Sequence, residues 1–331
     1  DGQEAQIQLT ASYDPDSRDL SVDFAAEEDA NGLVARLLDV PGQPALALTV
    51  VGDGNVEDFE AQLALSTDGV PRVDGTIAIL SPEAEESWDV RVDIDGDPSP
   101  IVTAEMQEFL GNDISLQARL IRDASGRIEV PQLSLGARSL SLEGSAAIGT
   151  TGWPEAFDVR GELLNPDGGP VVLPFGDAAT TIEDITFEAI YANTLTVDAQ
   201  LNGLDSSGAT VEQVTLTGRG AIDPRNLSED GQFELDLSWS ADGVALTDPA
   251  LAEAVGSSLS GAAEIDYASG QPIRATGIEV SGEDFGLTGT ATWDTANTIP
   301  LGVDLRLIAQ DVVRFSELAG RDLSGRAEVT I

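Results

Sequence analysis

The sequence predicts an all-β protein: an elongated, curled, mainly antiparallel sheet that forms an open apolar groove, built from repeats with short intervening helices. Three observations lead to this prediction. Apolar and polar residues alternate along many segments, turn-forming residues separate those segments, and a short helical pattern recurs three times. Alternation is typical of strands with one apolar face, because successive side chains point to opposite sides of a sheet.

The alternation is clearest in two segments. In the first, the apolar side is Trp88, Val90, Val92 and Ile94. In the second, the apolar side is Leu195, Val197, Ala199 and Leu201, and the polar side is Thr196, Asp198 and Gln200. The pairs Asp53-Gly54, Asp68-Gly69 and Asp242-Gly243 are predicted turns. Such short connections favour antiparallel meanders, since parallel strands need a helical crossover.

Short helices are predicted at three equivalent places. They cover Met106–Leu110, Leu251–Val255 and Phe315–Ala319, and the residues that follow them are Gly111, Gly256 and Gly320. Glycine suits the left-handed position that ends a helix. Asp248 is a predicted N-cap, with Pro249 at the first helical position. Each short helix is therefore expected to lead into a strand.

A longer internal repeat accompanies the helices, with an offset of 145 residues. The residues Leu133, Leu135, Leu140, Leu142, Gly144, Ala146 and Ile148 correspond to Ile278, Val280, Phe285, Leu287, Gly289, Ala291 and Trp293. Stacked repeats of this kind favour one continuous, solenoid-like body over a globule. We predict three β-repeat regions within it: 1–100, 101–245 opening with a short helix, and 246–331, which is truncated.

The charge balance excludes nucleic acid as a partner. The chain has 59 acidic and 16 basic residues, all of them Arg, and a net charge of -43. Such a chain repels polyanions, and its acidity is best explained as a solvated outer face. Cysteine is absent, and no apolar run approaches the ~18 residues of a membrane-spanning helix. The chain begins without an initiator Met or a charged-then-apolar leader and ends inside a strand-like run, so both termini are expected to be cut from a longer protein.

Enzyme chemistry is not predicted, and no cofactor or metal is expected. Without His, Cys or Lys, the chain lacks the groups of Ser-His or Cys-His nucleophile systems, of a histidine or thiolate zinc site and of a phosphate-loop lysine. Gly218-Arg219-Gly220 begins a dinucleotide-binding pattern that Asp223 interrupts. Asp93, Asp95 and Asp97 have calcium-loop spacing, which the following Pro98 opposes.

The apolar side of the predicted sheet is the candidate functional site. Aromatic residues make up only 5% of the chain, fewer than a closed sandwich usually needs to fill its core. We therefore expect an open groove that accepts lipid acyl chains. Its candidate lining residues are Leu133, Leu135, Leu140, Leu142, Ile148, Leu195, Val197, Leu201, Ile278, Val280, Phe285, Leu287 and Trp293.

Several of these segments resemble the TamB family of translocation and assembly module proteins, in particular alphaproteobacterial members. The similar segments include Leu259–Ile265, Leu323–Val329, Phe285–Ala291 and Ala45–Gly54. The resemblance implies a β-taco groove with an apolar interior in a periplasmic segment, anchored in the bacterial inner membrane by a part of the protein outside this sequence. It also implies a TamA-like outer-membrane barrel as partner, and roles in outer-membrane protein assembly or secretion and in phospholipid transport. Phospholipid acyl chains and nascent outer-membrane proteins are the implied cargo.

Two other functions are compatible with a long apolar β-structure. The chain would be a secreted structural or adhesive β-solenoid, like an autotransporter passenger, if its strands stacked as parallel rungs. The other alternative is a β-helical polysaccharide lyase, in which acidic groups and an Arg base cleave the substrate. Antiparallel pairing would favour the groove over both.

Overall fold

The computed structural model describes residues 5–81, 87–174, 180–223, 232–268, 270–294 and 302–330. The chain divides into two compact units. Unit 1 comprises Asp1–Gly152 and Gly161–Asp167, and unit 2 comprises Trp153–Arg160 and Gly168–Ile331. These bounds differ from the three repeat regions inferred from the sequence, which remain a prediction about sequence units.

The described residues form one sheet of twenty-two strands. The first ten are β1 (Ala5–Tyr13), β2 (Asp19–Glu28), β3 (Leu46–Asn55), β4 (Asp58–Thr67), β5 (Val70–Leu80), β6 (Trp88–Gly96), β7 (Ile114–Arg122), β8 (Ile128–Gly136), β9 (Leu140–Ile148) and β10 (Pro154–Leu164). The others are β11 (Val171–Val172), β12 (Thr181–Ile182), β13 (Asp184–Tyr191), β14 (Leu195–Ser206), β15 (Ala209–Asp223), β16 (Gln232–Asp242), β17 (Ala245–Leu246), β18 (Ser258–Ala268), β19 (Ile273–Ser281), β20 (Phe285–Trp293), β21 (Gly302–Ala309) and β22 (Ala327–Thr330). The predicted all-β fold is confirmed.

Strand pairing within the described residues is antiparallel, mostly between neighbours along the chain. A tight turn at Asp68-Gly69 joins β4 to β5, with φ of 49° and 75°. The predicted turn at Asp53-Gly54 is wrong. Both residues lie inside β3 and pair with β2 and β4, because the chain reverses two residues later, between Asn55 and Asp58.

In the described part of the chain, four short α-helices interrupt the strands: α1 (Leu33–Leu37), α2 (Ala104–Leu110), α3 (Pro249–Val255) and α4 (Ser316–Ala319). A 3-10 turn, Val313–Phe315, precedes α4. The predicted N-cap is confirmed, since the Asp248 side chain accepts hydrogen bonds from the backbone N–H groups of Ala250 and Leu251. The glycines that end α2, α3 and α4 all have positive φ.

Within each unit the helices lie beyond the ends of strands that run in the same direction. We call the side of the unit formed by these strand ends the helix-bearing edge. In unit 1, α1 follows β2 and α2 follows β6, four antiparallel steps apart. In unit 2, α3 follows β16 and its β17 extension, and α4 follows β21, again four steps away. The opposite ends of these strands, which are farthest from the helices, form the helix-free end of each unit.

The 145-residue repeat is visible in the strand register. In the β8–β9 hairpin Leu135 pairs with Leu142, and in the β19–β20 hairpin Val280 pairs with Leu287. Each hairpin has a bulge at the same place, after Val130 in the first and after Ala275 in the second. The two hairpins are therefore equivalent structures, as their matching residues predict.

Candidate apolar binding face

One face of unit 1 is apolar from strand to strand. Residues that pair across an antiparallel sheet share a face, so the register connects residues of nine successive strands into one line. This line, the unit 1 row, is Leu9, Phe24, Val50, Leu63, Gly75, Ile94, Leu116, Leu135 and Leu142. It contains no polar side chain. We call the face that carries it the inner face.

Unit 2 has an inner face of the same kind, and its register also joins nine strands. The unit 2 row is Phe187, Ala199, Leu216, Trp239, Gly261, Val280, Leu287, Leu307 and Val329. The indole of Trp239 lies over Gly261, where an added Cβ would come within 2.5 Å of the indole nitrogen. The row is thus apolar and continuous even at its glycine.

The side chains of both rows keep contact with solvent. None of them is fully buried; Leu9 and Val329 are exposed and the others are of intermediate exposure. Among the described residues, no second sheet or long helix covers these rows, and the extensive contacts between strands join neighbours in the sheet. A large apolar surface that remains accessible is typical of a binding site.

The outer face is polar at most of the corresponding positions, with Val51 and Ala262 as the apolar exceptions. One residue further along each strand, the line across unit 1 reads Thr10, Asp23, Val51, Gln62, Thr76, Asp93, Gln117, Ser134 and Glu143. In unit 2 it reads Glu188, Asp198, Thr217, Ser238, Ala262, Glu279, Thr288, Arg306 and Thr330. The two faces therefore differ sharply in polarity. Because successive side chains of a strand point to opposite faces, the position of a residue along its strand decides which face carries it.

Arginine side chains connect strands on the outer face and at the helix-bearing edge. Arg119 donates two hydrogen bonds from Nε and Nη2 to Asp89, and they lower the pKa of that carboxyl. In unit 2, Arg314 donates to the carbonyl of Glu253 in α3 and pairs with Glu283 at 2.8 Å and Asp284 at 2.9 Å. Its side chain is only 17% exposed. Arg314 thus joins the turn before α4 to α3 and to the loop before β20.

Three carboxylates lie near one another on the outer face, those of Asp74, Asp93 and Asp95. A local loss of hydration raises the pKa of Asp95, and the nearby Asp93 and Asp74 carboxylates add to the effect. Across the described part of the chain, no group of three or more acidic side chains has a geometry that would hold a metal ion. Asp93 and Asp95, two of the three residues with calcium-loop spacing, are exposed residues of strand β6.

The structure places the candidate lining residues on the inner faces. Five lie on β8 and β9 of unit 1, and eight on β14, β19 and β20 of unit 2. Leu195 differs from the others. It is only 4% exposed, and it packs against Tyr191 and Ile222. Leu195 is therefore part of a packed core, whereas Leu287 and Leu142 lie on the accessible part of the face.

The packed core at Leu195 belongs to an aromatic cluster that the sequence did not predict. The aromatic cluster consists of Trp153, Phe157, Tyr191, Phe233 and Tyr267. Trp153 and Tyr267 stack with ring centroids 6.3 Å apart, and Phe157 and Tyr191 are 5.8 Å apart. The Tyr191 hydroxyl donates to the Ile222 carbonyl at 3.0 Å, which satisfies a buried polar group. Strand parity would have placed these rings on one face, but not in contact.

The described residues include no helix with the length and hydropathy required to cross a bilayer. No family model, curated protein or solved structure matches the chain. The geometry of the two faces is therefore the basis for a functional proposal.

Proposed function

We propose that this chain is a segment of a TamB-like protein of the bacterial envelope whose apolar inner face carries phospholipid acyl chains between the inner and outer membranes. In this proposal a TamA-like outer-membrane barrel is its partner, and outer-membrane protein assembly and secretion depend on it. The observation that carries the lipid part is the pair of nine-residue rows, which are apolar throughout yet accessible.

Acyl chains fit this surface better than polar ligands. Neither row contains a hydrogen-bond donor or acceptor other than the Trp239 indole, whereas a sugar or peptide site needs several fixed polar groups. A ten-residue strand spans ~33 Å at ~3.3 Å per residue. One leaflet of acyl chains is about half of a ~30 Å hydrocarbon core. A strand therefore offers more than the length of one extended acyl chain.

The outer face explains how so apolar a surface is kept in water. Carboxylates and hydroxyl groups occupy most outer positions, and the net charge of -43 opposes association between copies. The same acidity repels anionic membrane surfaces. The proposal therefore assigns membrane attachment to other parts of the protein.

The antiparallel pairing supports the groove over both alternatives. An adhesive β-solenoid and a β-helical lyase would need parallel rungs, and every described pairing is antiparallel, as for β6–β7 and β14–β15. A nascent outer-membrane protein is a second cargo under this proposal, since an alternating apolar strand could cover the same rows as a lipid.

Tryptophan fluorescence offers a direct test, because Trp239 belongs to the unit 2 row. We would replace Trp88, Trp153 and Trp293 by Phe and add brominated fatty acid below its micelle concentration. Bromine quenches an indole that it contacts, so saturable quenching of Trp239 is expected. The probe needs no membrane and reports on one face.

The matched control moves the indole to the outer face of the same strand. It combines Trp239→Phe with Ser238→Trp, since Ser238 is exposed and pairs with Thr217 on the polar side. Circular dichroism checks that both proteins are folded. Little quenching of the control supports the proposal. Equal quenching of both proteins, or none of Trp239, would refute acyl-chain binding by this face.

A further inference from the structure

The aromatic cluster lies at one end of the unit 2 strands, opposite the helices. Trp153 precedes β10, Phe233 is near the start of β16, and both strands run toward the helix-bearing edge. Tyr191 ends β13 and Tyr267 is near the end of β18, and these strands run the other way. The four residues therefore meet at the helix-free end of the strands.

The Trp153–Tyr267 contact requires strong local curvature of the sheet. Five strand-to-strand steps separate β10 from β18 through β13, β14, β15 and β16. In a flat sheet, five steps of ~4.8 Å give a separation of ~24 Å. The observed centroid distance is 6.3 Å. At this end the inner face of unit 2 is therefore folded onto itself.

Two glycines occupy the strand at the middle of this bend. Gly218 and Gly220 lie on the inner side of β15, opposite Val197 and Leu195 of β14. A Cβ at Gly220 would come within 2.0 Å of the Glu234 carbonyl oxygen, and one at Gly218 within 2.9 Å of Leu237. The absence of side chains there lets β14 and β16 approach over β15. The glycine pair thus has a packing role, unrelated to nucleotide binding.

Burial decreases from this end toward the middle of the strands. Tyr191 and Leu195 are 5% and 4% exposed, whereas Val197, two residues further from the end, is of intermediate exposure. Ala199 and Leu216 of the unit 2 row are also of intermediate exposure. The apolar surface therefore ends at a group of rings around the buried Tyr191; the other four rings are of intermediate exposure.

We infer that the aromatic cluster is a stop that closes the acyl-chain site of unit 2 at the helix-free end of β10–β18 and so limits the length of chain bound. The inference rests on the proposed lipid function and names the residues that determine its chain-length specificity. The rings of this cluster would contact the terminal methyl of an acyl chain, and the polar head would remain at the accessible side.

Chain-length dependence of affinity distinguishes a stop from a purely structural core. Each buried methylene increases affinity by about four-fold, so affinity should rise with chain length and level off once the chain reaches the stop. Fatty acids of increasing length, below their micelle concentrations, would displace a fluorescent fatty acid from the protein. In the double variant Trp153→Cys, Tyr267→Cys the rise should continue to longer chains, since two large rings are replaced by small thiols.

The same variant can also be closed by a covalent bridge between positions 153 and 267. The bridge is specific, because the chain has no native cysteine that could react. Bridging the two thiols with a short bis-maleimide should restore the plateau of the unaltered protein. A second pair, Thr217→Cys with Ser238→Cys, joins neighbouring outer-face positions of β15 and β16 and should leave the length dependence unchanged, bridged or not. Circular dichroism and urea unfolding establish that each protein is folded.

The outcomes separate this inference from the proposed function. If fatty acids displace no bound probe from the unaltered protein, the lipid function itself fails. If the unaltered protein binds fatty acids, and the double cysteine variant has the same dependence of affinity on chain length whether bridged or not, the stop is refuted. Should the double cysteine variant not fold, the single changes Tyr267→Leu and Phe233→Leu are measured in its place. An unchanged plateau in folded single variants also refutes the stop.

Discussion

The inner face of unit 2 has two apolar regions whose central residues differ in burial. The aromatic cluster packs around Tyr191 and Leu195, which are nearly inaccessible, whereas Leu287 and Leu307 of the unit 2 row keep part of their surface in water. The difference arises because the sheet bends at Gly218 and Gly220 and brings one end of the face into contact with itself. Apolar residues in the first region stabilise the fold, and those in the second are available to a ligand.

The largest effect on stability is expected from Tyr191→Ala. It removes a buried ring next to Phe157 and the hydrogen bond to the Ile222 carbonyl, and comparable aromatic truncations cost about 3–5 kcal/mol. Leu307→Ala, in the accessible region, should cost about 1 kcal/mol or less, since little area leaves the solvent there. Urea unfolding measures both free energies. Equal losses would contradict the division of the face.

The next largest effect is expected at the bend. Gly220→Ala places a Cβ against the Glu234 carbonyl, a backbone atom that cannot move without disturbing β16, and overpacking of this kind costs about 1–3 kcal/mol. Gly208→Ala is the control, because its Cβ would meet nothing within 4 Å. Thermal unfolding compares the two. A neutral Gly220→Ala would show that β15 is not the close-packed middle of the bend.

A smaller, pH-dependent effect is expected at the helix-bearing edge. Hydrogen bonds from Arg314 hold the pKa of Glu283 below its ordinary value. This carboxylate therefore contributes stability above its unfolded pKa, and the contribution is lost as the pH falls through its folded pKa. Arg314→Met should remove that contribution at neutral pH, and the difference from the unaltered protein should shrink as acid protonates Glu283.

Urea unfolding at several values from neutral pH to below pH ~4.5 measures this difference. Arg138→Met is the comparison, since Arg138 is the residue of unit 1 that corresponds to Glu283 at the 145-residue offset. Arg138 pairs with Asp167, which is more exposed than Glu283. Arg138 and Glu283 carry opposite charges, and each forms an ion pair with a residue of the other sign. A difference that grows on acidification would contradict the assignment to Glu283.

Alternation and the repeat predicted many of the longer strands, their faces and three of the four helices that the described residues form. They could do so because side-chain parity is local, as in Trp88 to Ile94, and because equivalent hairpins have matching residues, such as Leu142 and Leu287. The turn at Asp53-Gly54 was misplaced, since cross-strand pairing overrides the local turn preference. The aromatic cluster was missed because Trp153 and Tyr267 meet only through curvature accumulated over five strand steps.

The central claim is tested most directly by photocrosslinking from neighbouring positions on opposite faces. A benzophenone amino acid would replace Leu287 on the inner face or Thr288 on the outer face of β20, within the full-length protein in cells. Mass spectrometry then identifies the crosslinked molecules. The account predicts phospholipid adducts at Leu287 and few at Thr288, with both proteins folded by protease resistance. Equal lipid labelling at both positions, or none at Leu287, would contradict it.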